Sequence, residues 1–499
     1  MSDQATGKPT ERFTPSEIEP RWTAAWDAAG VGHADPASER PAYSVALPPP
    51  NVTGVLHMGH ALNSTIQDLL VRTRRMAGDE TLWICGTDHA GIATQAVVEK
   101  ALAADGIARK EIGREEFVRR VWEWRGEYGG RIIDQLHRLG CTLDYRRERF
   151  TMDEGYAAAV AKVFVDLHAK GYIYRDHYMV NWDPGLGSAI SDLEVEDREV
   201  VDSLVSIAYP LADGSGEIVV ATVRPETMLG DTAVAVNPED PRYRDLIGST
   251  CILPLVGREI QIIGDDHVQP EFGTGALKVT PAHSLDDFEI GRRHGLETIG
   301  VIGEDGRMTA EAGERYAGLT PAECAEAVVA DLEGLGALRG REDHTHVVPF
   351  SHRSGARVEP LVSLQWFCDM KALAEPAMAV VHDGRVKFTP AKWGDVYLRW
   401  LEEIRPWCVS RQLWWGHQLP VYYRDDEIHV GLEPPEGDGW ERDPDVLDTW
   451  FSSALWPFVT LGWPERTPEL ERFYPTAVLS TARDIIFLWV ARMVIMGME

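Results

Sequence analysis

Pro48-Pro49-Pro50-Asn51-Val52-Thr53-Gly54-Val55-Leu56-His57-Met58-Gly59-His60 is the stretch on which the rest of the chain turns. It follows a short apolar run, Ser44–Leu47, that reads as a buried strand. It leads into Ala61–Met76, where Leu62, Ile66, Leu69, Leu70 and Met76 recur at helical spacing. Three prolines continue neither a sheet ladder nor a helix, so the chain must leave the strand there, and Gly54 and Gly59 let backbone approach a ligand closely. His57 and His60 then stand at a helix N-terminus, where unpaired N–H groups and the helix dipole favour a phosphate. Arg72, Arg74 and Arg75 in the last turn, with Gly78 just beyond, close the helix. Strand, tight loop and helix in this order form a ligand-binding layout.

Outward from that stretch, residues 1–42 read as a polar tail followed by a helix carrying Trp22 and Trp26 at i, i+4, a packing pair. On the other side, Thr81–Cys85 is a second apolar run ending in Gly86-Thr87-Asp88-His89-Ala90-Gly91-Ile92-Ala93-Thr94-Gln95. This puts Asp88 and His89 at the carboxyl edge of a sheet, where open α/β sheets bind ligands. Arg109–Leu139, charged with spaced aromatics, reads as one or two surface helices. Tyr156–Asn181 reads as a helix running into a strand, and Asn181-Trp182-Asp183-Pro184 closes this α/β portion. From about 195 to 345 the pattern changes to Val, Ile and Thr runs between short Gly, Asp and Pro turns, as in a mainly β module. Two of its segments are dense in polar function: Ala221–Thr227, and Phe272–His283 continuing through Asp286-Asp287. After 345 mixed α/β character returns.

Composition limits the possibilities. With 499 residues, 44% of them apolar, the chain is long enough for about three domains with proper cores. The formal charge of -30, from 49 Lys plus Arg against 79 Asp plus Glu, excludes a surface that is basic throughout, so any nucleic-acid contact must come from local patches. Six cysteines without C-x-x-C spacing point to reduced thiols in a cytoplasmic protein and to no structural metal. Met1–Phe13 has no apolar core, and the longest apolar run, Ile485–Met498, is short and broken by Arg492, so neither export nor membrane insertion is expected.

The H-x-G-H of residues 57–60, preceded by P-P-P-N-V-T-G, resembles the first signature of class I aminoacyl-tRNA synthetases, and its flanks are similar to the valyl branch. Small nucleotidylyltransferases also use H-x-G-H, so the four letters alone do not decide. The decapeptide at Gly86, Trp407–Pro420, Asp445–Ser453 and Ser480–Trp489 resemble further segments of the same family, and the two polar segments of 195–345 resemble its editing domain. The resemblance implies an α/β fold: a Rossmann-like parallel-sheet catalytic domain interrupted by an inserted, mainly β editing domain. The expected divisions are 1–42, 43–194, 195–345 and 346–499. It implies activation of valine by ATP with Mg2+, transfer to tRNA(Val), and hydrolytic proofreading of threonyl-tRNA(Val), in a monomer. His57, Gly59 and His60 would serve the nucleotide, with Gly59 leaving room for adenine. Pro49, Asn51, Asp88, Trp450 and Ile485 would form the amino-acid pocket, Asp88 pairing with the ammonium. Arg224, Phe272, Lys278, Thr280 and Asp287 would hold a misacylated tRNA end. Trp414, Trp456 and Trp463 are expected in the core.

The sequence departs from the family at Ser284, where valyl enzymes often carry Asp, and at Ala482 and Arg483, where a glycine and an aromatic are more usual. A complete synthetase of this type continues with a K-M-S-K-S loop, a helical anticodon-binding domain and a coiled coil. The expectation is therefore the catalytic and editing part of a longer enzyme. An isoleucyl relative is disfavoured by Ile485, which makes a different pocket wall, and a stand-alone hydrolytic or RNA-binding module is the third reading.

Overall fold

The computed structural model describes residues 14–499, so the polar tail at residues 1–13 lies outside the described residues. The chain forms two compact units, one made of residues up to Tyr174 and again from Phe367 to Glu499, the other of Arg175–Trp366.

In the first unit, α1 (Pro15–Ala29) starts on a proline at its first turn and stops at Gly30 in the left-handed conformation. Trp22 and Trp26 stand 6.4 Å apart, and the Arg72 guanidinium covers Trp26. Strand β1 (Ala42–Ala46) is the centre of a parallel sheet, pairing with β2 (Glu80–Ile84) on one side and with Val478–Leu479 on the other. Between β1 and β2 runs α2 (Met58–Met76), which begins three residues earlier than its apolar spacing suggested because His57 caps it. A second parallel pair, β3 (Gly86–Thr87) with β4 (Arg149–Phe150), continues beyond β2.

Helices α3 (Gly91–Ala104), α4 (Arg109–Arg138) and α5 (Glu154–Ala169) complete the first half. Helix α4 is two helices meeting at Gly113, whose φ of +76° breaks the first turn. It is not merely a surface element: Phe117, Val121, Ile132 and Leu136 are fully buried against Val45, Trp83 and Trp415. Each such side chain stabilises the fold by roughly 2 kcal/mol.

The structure decides the orientation of α2 and changes one expectation about the tryptophans. The apolar stripe of α2 does not face the sheet: Leu62 is 65% and Leu69 64% exposed, with Met58 and Met76 still more so, while Ser64, Gln67 and Val71 are the buried positions. Gln67 is retained inside because its Oε1 accepts the Trp83 indole N–H at 3.1 Å. Of the tryptophans expected in the core, Trp456 is fully buried but Trp414 and Trp463 are half-buried, and Trp415 fills the core position instead.

The chain passes into the second unit along β5 (Ile173–Asp183), which turns back antiparallel into β6 (Ser188–Ile190). Next comes the long antiparallel ribbon of β7 (Val195–Pro210) with β13 (Leu338–Ser351), flanked by β8 (Glu217–Thr222). A four-stranded sheet follows the order β10 (Thr250–Ile252), β11 (Glu259–Gly264), β9 (Ala233–Val236), β12 (Ala276–Val279), accompanied by α6 (Leu285–His294) and α7 (Pro321–Leu335). The unit is wider than the 195–345 expected from composition. Segments on either side pack within it: Tyr178 OH reaches Glu289 at 3.1 Å, the Trp182 indole N–H donates to Glu304 O at 2.7 Å, and Ser354 Oγ donates to Asp183 at 2.7 Å.

Candidate functional site

Two polar constellations form, one in each unit. In the first unit, the two histidines at the start of α2 cap the helix together. His57 Nδ1 accepts the Gly59 N–H at 3.1 Å, and the His57 N–H donates to His60 Nδ1 at 3.2 Å. With both Nδ1 atoms accepting, the ring proton of each neutral imidazole sits on Nε2. Burial, and then the neighbouring His57, lower the His60 pKa, which keeps that ring neutral. A Cβ at residue 59 would come within 2.9 Å of His57 Cε1. A side chain at residue 59 would therefore push against the capping ring, independently of any nucleotide. At Gly54, by contrast, a Cβ would meet nothing, so that backbone stands open to a ligand.

The second signature lies directly beside the first. The Asp88 N–H donates to Pro50 O at 2.9 Å and the Val52 N–H to Asp88 O at 3.1 Å, a parallel bridge between Asn51 and Asp88. Pro49 is half-buried and Asn51 exposed at this junction. Asp88 itself is buried; its Oδ1 accepts the Ala90 N–H at 2.6 Å and its Oδ2 accepts the Ser453 hydroxyl. Ala90 holds a left-handed conformation, φ +53°, uncommon for a residue with a side chain, at the turn that presents Asp88. Desolvation raises the Asp88 pKa to about 6 against the hydrogen bonds from Ser453 and Ala90. Among the described residues no lysine or arginine pairs with it; its neighbour His89, with Nδ1 3.5 Å away, is held neutral by burial and by His417.

Trp450 lies half-buried on the short helix Thr449–Ser453, whose cap Asp448 also accepts from Trp407 Nε1 at 2.8 Å and pairs with Arg411. A Cβ on Gly91 would lie 2.6 Å from Thr449 Oγ1, so that glycine lets this helix close on the start of α3. Ile485, half-buried, stands four residues before Trp489, whose indole N–H donates to Ser453 O at 2.8 Å. Ser480 bonds Asn63 of α2, tying the end of Val478–Leu479 to the capped helix.

In the second unit the structure joins three of the five expected residues. Lys278 Nζ is buried 2.6 Å from Thr280 Oγ1, 3.0 Å from Thr227 Oγ1 and 3.3 Å from Asp231 Oδ1. The Thr280 N–H donates to Asp287 Oδ2 at 2.8 Å. Burial raises Asp287 to about 6, with Lys278 holding it down in part. Ser284 caps α6, its hydroxyl accepting the Asp287 N–H at 3.4 Å.

Arg224 is not among the Lys278 contacts. It is clamped between Glu226 at 2.9 Å and Glu359 at 2.6 Å, and lines a cavity of about 460 Å³ with Asp202, Arg341 and Arg357. Burial disfavours its charge, yet the two glutamates outweigh that and raise its pKa. Phe272 is 79% exposed, in contrast to the buried cluster. His283 is no base: its Nε2 accepts the Val301 N–H at 2.8 Å, and burial followed by the Arg224 charge lowers it to about 3. Among the described residues no group of three His, Cys, Asp or Glu is arranged to hold a metal, and no helix is long and apolar enough to cross a membrane.

Residues 21–437 and 432–499 match the family described as tRNA synthetases class I (I, L, M and V). The chain belongs to the class I tRNA synthetases. It is 53% identical over 495 residues to the valine–tRNA ligase of Carboxydothermus hydrogenoformans and 52% identical over 496 residues to that of Geobacter sulfurreducens. Each alignment covers 98% of this chain and 56% of the relative, so the chain spans little more than half the length of these curated relatives. In fold it is similar to the LeuRS in the ternary complex of Agrobacterium radiobacter K84 agnB2 LeuRS-tRNA-LeuAMS, with 17% identity and a TM-score of 0.50 over 97% of this chain and 65% of that one.

For this class I synthetase chain, reading the sequence missed Asp231, Thr227 and Ser453. Ser453 lies in Asp445–Ser453, a segment whose resemblance to the family implies no role for it. Asp231 lies 47 residues from Lys278, and nothing in the local pattern marks it.

Proposed function

We propose that the first unit activates valine with ATP and Mg2+, forming an adenylate for transfer to tRNA(Val). The single observation that supports this most is the buried Asp88 carboxylate, which accepts a hydroxyl and an amide proton but faces no protein cation among the described residues. Such a group costs free energy unless a cation arrives, and the α-ammonium of an amino acid is such a cation. Pro49, Asn51, Trp450 and Ile485 would bound a small pocket around it. His57 and His60 would donate their Nε2 protons to phosphate oxygens as charge develops, at a helix end already favourable to anions. In-line attack of the valine carboxylate on the α-phosphorus, expelling pyrophosphate, needs positioned donors more than covalent catalysis. Mg2+ enters with the nucleotide.

The second unit supports a second activity, hydrolysis of mischarged threonyl-tRNA(Val). A hydrophobic pocket sized for valine rejects an isostere bearing a hydroxyl only weakly, which calls for a second, polar site. Lys278, Thr280 and Asp287 would form its floor, with Phe272 exposed for stacking and Arg224 at its edge.

Valine-dependent ATP–pyrophosphate exchange on the 499-residue chain tests the first reading, with isoleucine and threonine alongside. Exchange with valine, weaker exchange with threonine and none with isoleucine is expected. Isoleucine preference would favour the isoleucyl relative. Absence of exchange in folded protein that still deacylates threonyl-tRNA would leave the hydrolytic module.

A further inference from the structure

We infer that Ser453 is the positioning residue that orients the Asp88 carboxylate for an ammonium ligand. This rests on the reading of Asp88 as the ammonium site. Ser453 is buried on the helix Thr449–Ser453, one turn after Trp450, and its hydroxyl reaches Asp88 Oδ2 across 365 residues of sequence. The residue cannot easily swing away. Its carbonyl accepts the Trp489 indole N–H at 2.8 Å, and the carbonyl of Ser452 beside it accepts Tyr156 OH at 2.8 Å. One helical turn therefore carries both Trp450, assigned to the pocket wall, and the hydroxyl that holds the carboxylate.

The hydroxyl has two acceptors and one proton. Ser453 Oγ is also 2.8 Å from Thr449 O, so it donates either to that carbonyl or to Asp88. An ionised carboxylate is the stronger acceptor, and with Asp88 charged the proton points to Oδ2. When Asp88 is protonated, its own O–H donates to Ser453 Oγ and the serine proton turns to Thr449 O, so both states are satisfied without moving the backbone. The groups around Asp88 leave this task to Ser453 and Ala90. His89 on the same segment is neutral, with Nδ1 accepting from or donating to Thr151 Oγ1 at 2.8 Å; His417 packs edge-on against His89 and is lowered to about 4 by burial; and burial and then Asp88 itself raise the Tyr156 phenol. None of these is a cation at neutral pH. Removing the Ser453 hydroxyl takes away the side-chain hydrogen bond that opposes desolvation of Asp88.

The test is calorimetric titration of the 499-residue chain with valine from pH 5 to pH 8, comparing wild type, Ser453→Ala, Ser453→Cys and Ser452→Ala. Binding by the wild type with an acid limb near pH 6 is the control for the Asp88 reading, and folded wild-type protein that binds no valine overturns that reading and this inference with it. Given wild-type binding, Ser453→Ala is expected to weaken valine about tenfold at pH 7 and to move the acid limb upward by roughly one pH unit. Ser453→Cys, a weaker donor of similar size, falls between, and Ser452→Ala behaves as wild type. Wild-type affinity in Ser453→Ala, or weakened binding with an unmoved acid limb, overturns the assignment. If Ser453→Ala does not fold, Ser453→Cys decides by the same criterion.

Discussion

Lys278 Nζ and Asp231 Oδ1 stand 3.3 Å apart with both side chains buried, and Thr280 Oγ1 bridges them, 2.6 Å from each. Tyr209 OH satisfies the other Asp231 oxygen at 2.7 Å. The amine of the lysine proposed to face a tRNA end is thus enclosed by Asp231, Thr227 and Thr280, the carboxylate coming from the turn before β9. Breaking one member of a buried pair leaves an uncompensated charge, worth about 3 kcal/mol or more. Asp231→Ala is expected to speed hydrogen exchange of the β12 amides by about a hundredfold, and Lys278→Met with Asp231→Leu to restore most of that protection. Unchanged exchange in Asp231→Ala would show that the pair contributes nothing.

Asp88 gives a stability prediction of opposite sign to its functional one. Its pKa rises from 3.8 to about 6 on folding, so the folded state binds this proton more tightly than the unfolded chain. Stability from this group is greatest below pH 4 and falls as pH rises from about 4 to about 6, with the full cost present at neutral pH. Asp88→Asn should stabilise the first unit at pH 7.5 by something on the order of 2–3 kcal/mol and flatten that part of the pH dependence. It should also abolish valine-dependent exchange. Thermal unfolding of the variant across pH 4–8 checks the point; a destabilised variant at pH 7.5 would contradict it.

Helix α2 shows what could be read in advance and what could not. Its existence and its last residue followed from 3.6-residue spacing and from the arginines before Gly78. Its orientation did not follow, because periodicity gives a stripe without saying which side meets the sheet. Asp88 was likewise placed at the sheet's carboxyl edge by the apolar run before it, whereas Asn51 entered only through the family resemblance, and its bridge to Asp88 is seen only in the structure. Ser453 and Asp231 were not recognisable, since their partners lie far away in sequence and a serine or aspartate in a polar stretch carries no local signal. The measurable consequence is that Leu62→Gln and Leu69→Gln should each change stability by less than about 0.5 kcal/mol, whereas Val71→Ala, at a fully buried position, should cost about 1–3 kcal/mol. A large loss from Leu69→Gln in urea unfolding would place that stripe in contact with protein.

Arg224 separates a structural from a catalytic explanation of the same loss of activity. Its guanidinium spans two buried carboxylates, Nε to Glu226 and Nη2 to Glu359, a geometry that uses the planar fork in two directions. A lysine ammonium keeps the charge but not the fork, and alanine leaves two buried carboxylates without their shared cation. Arg224→Ala is expected to lower the stability of the second unit by about 3–5 kcal/mol and Arg224→Lys by about half as much. Any fall in threonyl-tRNA hydrolysis in Arg224→Ala would then reflect a loosened fold as well as a lost contact. Glu359→Gln makes the distinction: it weakens the clamp while leaving the arginine in place. If hydrolysis and thermal stability fall together in both Arg224→Lys and Glu359→Gln, Arg224 acts through the fold. If Glu359→Gln loses stability but keeps its hydrolysis rate while Arg224→Lys loses the rate, the guanidinium itself touches the tRNA end.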